Sequence, residues 1–126
     1  MKYLVDSNIL IWFFENNPKL PTHIREIMLD NSSSVSVSIA TIWEISLKYG
    51  IQKLKLPVSL PAFIDELENK YEFSILPVKT HHIVFQANLP FHHRDPFDRL
   101  IFAQSVVENL EFLYTDGIFD KYRGLP

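Results

Sequence analysis

The chain opens with a short apolar run, Lys2 to Val5 (KYLV), stops at Asp6, and turns almost wholly apolar again from Asn8 to Glu15. The first run predicts a buried strand and the second a short helix, with Ser7 as its cap. Pro18 and Pro21 break the chain, after which Thr22 to Leu29 places Ile24, Ile27 and Met28 at helical spacing. Ser34 to Ile39 (SVSVSI) alternates small polar with β-branched residues and predicts a second strand. Thr41 to Tyr49 predicts a helix, with Gly50 beyond its end where a left-handed cap is expected. After the connector IQKLKLP, a helix is predicted over Leu60 to Tyr71, with Pro61 near its start and Phe63, Ile64, Leu67 and Tyr71 along one stripe. Phe73 to Val78 predicts a third strand, Thr80 to Asn88 a helix and LPFHHR a loop. Asp95 to Leu110 predicts the longest helix, and Glu111 to Thr115 a last strand ending at Asp116. The tail, GIFDKYRGLP, reads as a helical turn followed by loose chain.

Strands alternating with helices, without hairpin turn signals, predict a parallel sheet covered on both faces. The expectation is one α/β domain over residues 1–126, without repeat or linker. With 47% hydrophobic residues the chain can fill a core and keep apolar surface for a partner, and a homodimer is expected. The absence of cysteine excludes disulfides, thiolate nucleophiles and Cys-based zinc sites, and suits the cytoplasm. No segment has the pattern of a signal peptide or a membrane span. A net charge of −3 weighs against nucleic acid as a partner. That objection weakens where acids gather around bound cations, which reverse the local sign.

The acids do fall in a pattern. Ligand sites of open α/β sheets lie beyond the carboxyl ends of the strands. Asp6 and Asp116 each follow a strand-like run, while Asp95 and Asp98 open the long helix. Glu44 lies early in the helix after the second strand, among Ile42, Trp43 and Ile45. Two carboxylates about 4 Å apart repel by on the order of 4 kcal/mol at an effective dielectric near 20. Three or four together protonate, spread apart or take up a cation. Oxygen-only ligands suit Mg²⁺ or Mn²⁺. Such an ion acidifies water, holds a phosphate oxygen and stabilises a leaving oxygen, and phosphodiester hydrolysis uses all three effects.

Four pieces, LVDSNILIW, SIATIWEISLKYGIQKLKLP, HHRDPFDRLIFAQS and LYTDGIFDKY, occur in an order and spacing that resembles the PIN-domain ribonucleases. Within them, the chain looks like the VapC-type toxins of bacterial toxin–antitoxin pairs. The resemblance implies a three-layer α/β/α sandwich, a Mg²⁺- or Mn²⁺-dependent endoribonuclease acting on RNA, and a cognate antitoxin protein. It places Asp6, Glu44 and Asp98 at the family's central acids and Asp116 at a fourth, which is Asn or Ser in relatives. Asp95 matches an extra acid of the DPFDR variant. In the implied mechanism water attacks the phosphorus, the carboxylates act as ligands and water activators, and no protein nucleophile is needed.

Each acid also has an ordinary structural reading. Asp6 fits a helix cap, and in DPFD Asp95 fits N-cap, Pro96 N1 and Asp98 N3 of a capping box. Glu44 can pair with Lys48 at i+4, and Asp116 can cap the final turn. Ser7 and Thr115 adjoin acids and could orient a ligand water. Lys48, Lys53 and Lys55, with Arg94 and Arg99, are candidates for RNA-backbone contact, although Arg99 could equally pair with an acid. His92 and His93 are expected in a solvated loop. The adjacent pairs His81-His82 and His92-His93 are not expected to turn both rings to one ion, and no HExxH occurs. A non-catalytic module that binds RNA or a peptide in the same groove is the alternative function. A phospho-acceptor receiver is excluded, because it needs an acid pair after the first strand and a Lys after the last.

Overall fold

A computed structural model describes residues 1–93 and 95–122. Its four strands, β1 (Lys2–Val5), β2 (Ser34–Ser38), β3 (Ser74–Leu76) and β4 (Glu111–Leu113), are all parallel and lie in the order β3-β2-β1-β4. Between them run α1 (Ser7–Glu15), α2 (Thr22–Leu29), α3 (Ile39–Gly50), α4 (Leu60–Asp65), α5 (Thr80–Ala87) and α6 (Pro96–Val107). A 3-10 turn over Gly117–Tyr122 follows β4.

Side chains alternate across a strand, and β1 uses both faces. Tyr3 and Val5 join Val35, Val37, Ile9, Leu10, Ile24, Phe63 and Leu67 on one side. Leu4 points the other way, packing with Ala40 and Ile101, next to a cluster of Leu89, Ala103, Phe119 and Tyr122. The sheet therefore lies between a layer built on α1, α2 and α4 and a layer built on α5 and α6, the expected α/β/α sandwich.

Several boundaries differ from expectation, each for a local reason. Ser38 caps α3 with its Oγ accepting from Ala40 N at 3.0 Å, so the helix begins at Ile39 and runs through Gly50. The left-handed residue after α3 is Gln52 (φ 62°), not Gly50. The helix expected over Leu60 to Tyr71 widens into a π-helical turn over Glu66–Lys70, where Tyr71 N donates to Glu66 O. That extra residue per turn lets Tyr71 stack on Phe73 at 5.6 Å. Past α6, Asn109 turns left-handed (φ 55°) and Leu110 N donates to Ser105 O, so the helix stops at Val107 and equals α3 in length.

The strand order fixes where a ligand can sit. The chain steps outward from β1 to β2 to β3, then crosses back to lay β4 on the other side of β1. Strand order thus reverses at β1/β4, and the crevice outside the carboxyl ends opens there. Asp6 N donates to Leu113 O at 3.0 Å, which pins Asp6 to that boundary.

Candidate metal centre

Asp6, not Ser7, caps α1: its Oδ1 accepts from Ser7 N at 2.7 Å. The side chain is 3% exposed, and the cap occupies only part of its acceptor capacity. Ser7 turns its hydroxyl toward α3. It is buried and donates from Oγ to Thr41 Oγ1 at 3.2 Å, tying α1 to α3. Glu44, 7% exposed, comes from the second turn of α3. Its Oε2 lies 3.0 Å from Lys48 Nζ, the i+4 pair seen in the sequence, but its Oε1 is buried without a hydrogen-bond partner among the described residues.

Asp95 caps α6, with Oδ1 accepting from Phe97 N at 2.9 Å and Asp98 N at 3.1 Å. The capping box does not close. Asp95 N donates instead to His93 Nδ1 at 3.2 Å, which leaves the Asp98 carboxylate outside the cap. Asp116 caps the 3-10 turn through Oδ1, accepting from Ile118 N at 3.0 Å, and its side chain is half exposed.

The acids sense one another. Burial, reinforced by Asp98, Glu44 and Asp116, pushes the Asp6 carboxyl up to about 7, against the pull of Ser7 N–H. Burial, followed by Asp95, Glu44 and Asp116, raises Asp98 to about 6, with His93 opposing. Acids from the end of β1, from α3, from the start of α6 and from beyond β4 thus share one field. A buried carboxylate oxygen with no donor costs about 1–3 kcal/mol or more until something positive meets it. The orphaned Glu44 Oε1, an all-oxygen donor set and two carboxyls pushed up by burial and by neighbouring negative charge fit a hard divalent cation.

Other expectations need correction. Arg99 is 3% exposed and has no N–H left for RNA. Its five donors reach Gln86 Oε1 and the carbonyls of Gln86, Leu89, Pro90 and His93, at 2.8–3.3 Å. Among the described residues it pairs with no acid either, and instead knots the loop between α5 and α6. Arg99→Met should lower stability by about 3–5 kcal/mol in urea unfolding, because it removes the donor to the Leu89 and His93 carbonyls and one of two donors to those of Gln86 and Pro90. A surface arginine would cost about 0.5 kcal/mol or less. Lys48 is bound to Glu44, while Lys53, Lys55 and Thr115 are exposed. Arg94 lies outside the described residues.

The histidines depart furthest from the sequence reading. His93 is not in solvent: its side chain is 12% exposed, and Nε2 lies 3.0 Å from Asp98 Oδ2 and 3.4 Å from Asp116 Oδ2. His81 and His82 do turn both rings to one point, 3.5 and 2.7 Å from Glu108 Oε2, and these three form a compact potential ligand group. The hydrogen bonds argue against an ion there. His82 Nδ1 accepts from Lys79 N at 2.9 Å, so the ring proton is on Nε2 and donates to Glu108. A metal at Nε2 would require an imidazolate. Glu108 is also ten residues beyond Asp98 along α6, about 15 Å away at 1.5 Å per residue, so the group is separate from the acids.

Comparison with known proteins agrees with this geometry. The profile of the PIN domain matches residues 3–125. The fold is similar to that in the crystal structure of VapBC2 from Rickettsia felis bound to a DNA fragment from their promoter. The TM-score is 0.72 at 17% identity, over 98% of this chain and 94% of that one. No curated protein matches the chain. A profile that runs through all four strands and every acid of the cluster settles the family: the chain belongs to the PIN-domain family.

Proposed function

We propose that the chain is a divalent-cation-dependent endoribonuclease, the toxin of a toxin–antitoxin pair. The observation that carries this reading is Glu44 Oε1, a buried oxygen without a partner, in the field of Asp6, Asp98 and Asp116. PIN domains are metal-dependent nucleases as a family. Asp6, Glu44, Asp98 and Asp116 would hold Mg²⁺ or Mn²⁺, with Asp95 adding charge from its cap. When bound, the ion supplies the positive charge that acidifies water and steadies the phosphate and leaving oxygens.

The chain's own residues do the positioning. Asp6 is fixed between β1 and β4 by its backbone bond to Leu113 and by its cap on α1. Glu44 is fixed by packing, and its Lys48 partner balances one oxygen while the other stays available. Burial and neighbouring charge raise the Asp6 and Asp98 carboxyls, so a cation bound there would compete with protons. Lys48, paired with Glu44, borders the site from the α3 side, and it and the exposed Lys53 would meet the RNA backbone.

The toxin reading draws on the similar fold in VapBC2 and on the surface of α3. Ile39, Trp43, Leu47 and Ile51 are exposed there, with Trp43 lying edge-on to Phe97 at 5.2 Å. An apolar strip of this kind beside the acids suits a partner segment such as an antitoxin helix. A homodimer is proposed on the same ground of exposed apolar surface. Among the described residues no helix is long and apolar enough to cross a membrane.

Expression of the wild-type chain should slow bacterial growth, and Asp6→Asn should not. Purified wild type should cleave total RNA or tRNA only with Mg²⁺ or Mn²⁺ present. Equal toxicity of the two chains, or RNA bound without cleavage, would favour a binding module and contradict the nuclease.

A further inference from the structure

His93 is held from every side. Its backbone N–H donates to Tyr122 OH at 2.9 Å, and its carbonyl accepts from Arg99 at 3.3 Å. Its ring lies 5.0 Å from that of Phe119, in the same turn that Asp116 caps. Nδ1 accepts from Asp95 N at 3.2 Å. The last contact sets the tautomer: with the Nδ1 lone pair engaged, the ring proton is on Nε2. Nε2 has no lone pair to offer an ion, so His93 stands among the acids as a donor and not as a ligand.

That donor is buried, and it has two carboxylates in reach, Asp98 Oδ2 at 3.0 Å and Asp116 Oδ2 at 3.4 Å. Neither contact is aligned as a full hydrogen bond. Such bonds in ligand-free sites are often poorly aligned and tighten in the working complex. Asp98 opens α6 and Asp116 follows β4, and no shared element of backbone orients their carboxyl groups together. A donor between them offsets their repulsion and restricts the directions both can take.

We propose that His93 is a positioning residue of the acidic site, whose Nε2–H holds the Asp98 and Asp116 carboxylates toward one another. This deepens the nuclease reading and rests on it. It also gives Arg99 and Tyr122 a purpose, because both build the loop that delivers His93.

The test pairs His93→Phe, which keeps a ring against Phe119 but has no N–H, with His93→Gln, whose amide N–H reaches to a similar position. Mn²⁺ binding is measured by calorimetry, and RNA cleavage by initial rates. The Phe variant should bind Mn²⁺ about 10–100-fold more weakly, the usual loss when a partner of a ligating carboxylate is removed. Its kcat should fall with little change in KM, and Gln should recover a large part of both losses. Wild-type Mn²⁺ affinity in the Phe variant, or a Gln variant as weak as Phe, overturns the proposal. If wild type binds Mn²⁺ but cleaves no RNA, the nuclease reading fails while the Mn²⁺ series still decides the role of His93. If wild type binds no Mn²⁺, both fall. Should the Phe variant not fold, ¹⁵N spectra of the wild-type ring decide: a proton on Nε2 supports the proposal, and one on Nδ1 overturns it.

Discussion

Replacing Asp6 with asparagine should reduce RNA cleavage by more than about 100-fold and, without metal, make the fold more stable at pH 7.5. The two effects have one cause. Removing a group that merely supports a ligand costs roughly 10–100-fold, so removing a ligand should cost more. Stability moves the other way because asparagine caps a helix as well as aspartate does and can keep the bond from Ser7 N. What it removes is a buried charge facing Asp98, Glu44 and Asp116. The Asp6 carboxyl sits at about 7 in the fold against 3.8 for an ordinary aspartate. At about 1.4 kcal/mol per unit this sets an upper bound near 4 kcal/mol on the cost of ionising it, and an observed gain of about 1–3 kcal/mol is expected. Urea unfolding in EDTA checks the gain. A variant less stable than wild type, yet fully active, would reduce Asp6 to a cap.

The second large effect is a stability that depends on both pH and cation. Asp6, at about 7, and Asp98, at about 6, keep protons in the fold that the unfolded chain releases near pH 4. Between those values the native state binds more protons than the unfolded one, so stability falls as pH rises. In EDTA the protein should therefore melt higher at pH 5.5 than at pH 7.5. Asp30 and Glu108 shift downward, so their contribution changes only below about pH 4.5, outside this window. Saturating Mg²⁺ should erase most of that difference, because the metal-bound fold holds no more protons than the unfolded chain at either pH. An ion at about 100 times its Kd adds about 2.7 kcal/mol, and it binds better at pH 7.5, where fewer protons must leave. Melting curves at the two pH values, with Mg²⁺ and with EDTA, test this directly. A melting temperature indifferent to both would contradict a shared acidic field.

The sequence disclosed what depends on pattern and concealed what depends on backbone. Buried parallel strands appear as apolar runs, and their carboxyl ends share one edge. Asp6 and Asp116 could therefore be brought together before any coordinates, although 110 positions separate them. Arg99 could not be read in the same way. Four of its five acceptors are carbonyl oxygens, which every residue carries, so beside Asp98 it looked like an ion-pair or phosphate residue. His93 was hidden for the same reason. LPFHHR looks solvated until Arg99 and Tyr122 gather its carbonyls and N–H groups and turn the ring inward. The left-handed Gln52 and the π-helical turn at Glu66–Lys70 were equally silent, since neither carries the glycine or proline that marks such places.

One measurement bears most directly on the central claim: anomalous scattering from crystals grown with Mn²⁺. The account predicts a peak among the oxygens of Asp6, Glu44 and Asp98, on the open edge of the sheet. A peak at His81, His82 and Glu108 instead, or none at the acids in fully loaded crystals, would contradict it.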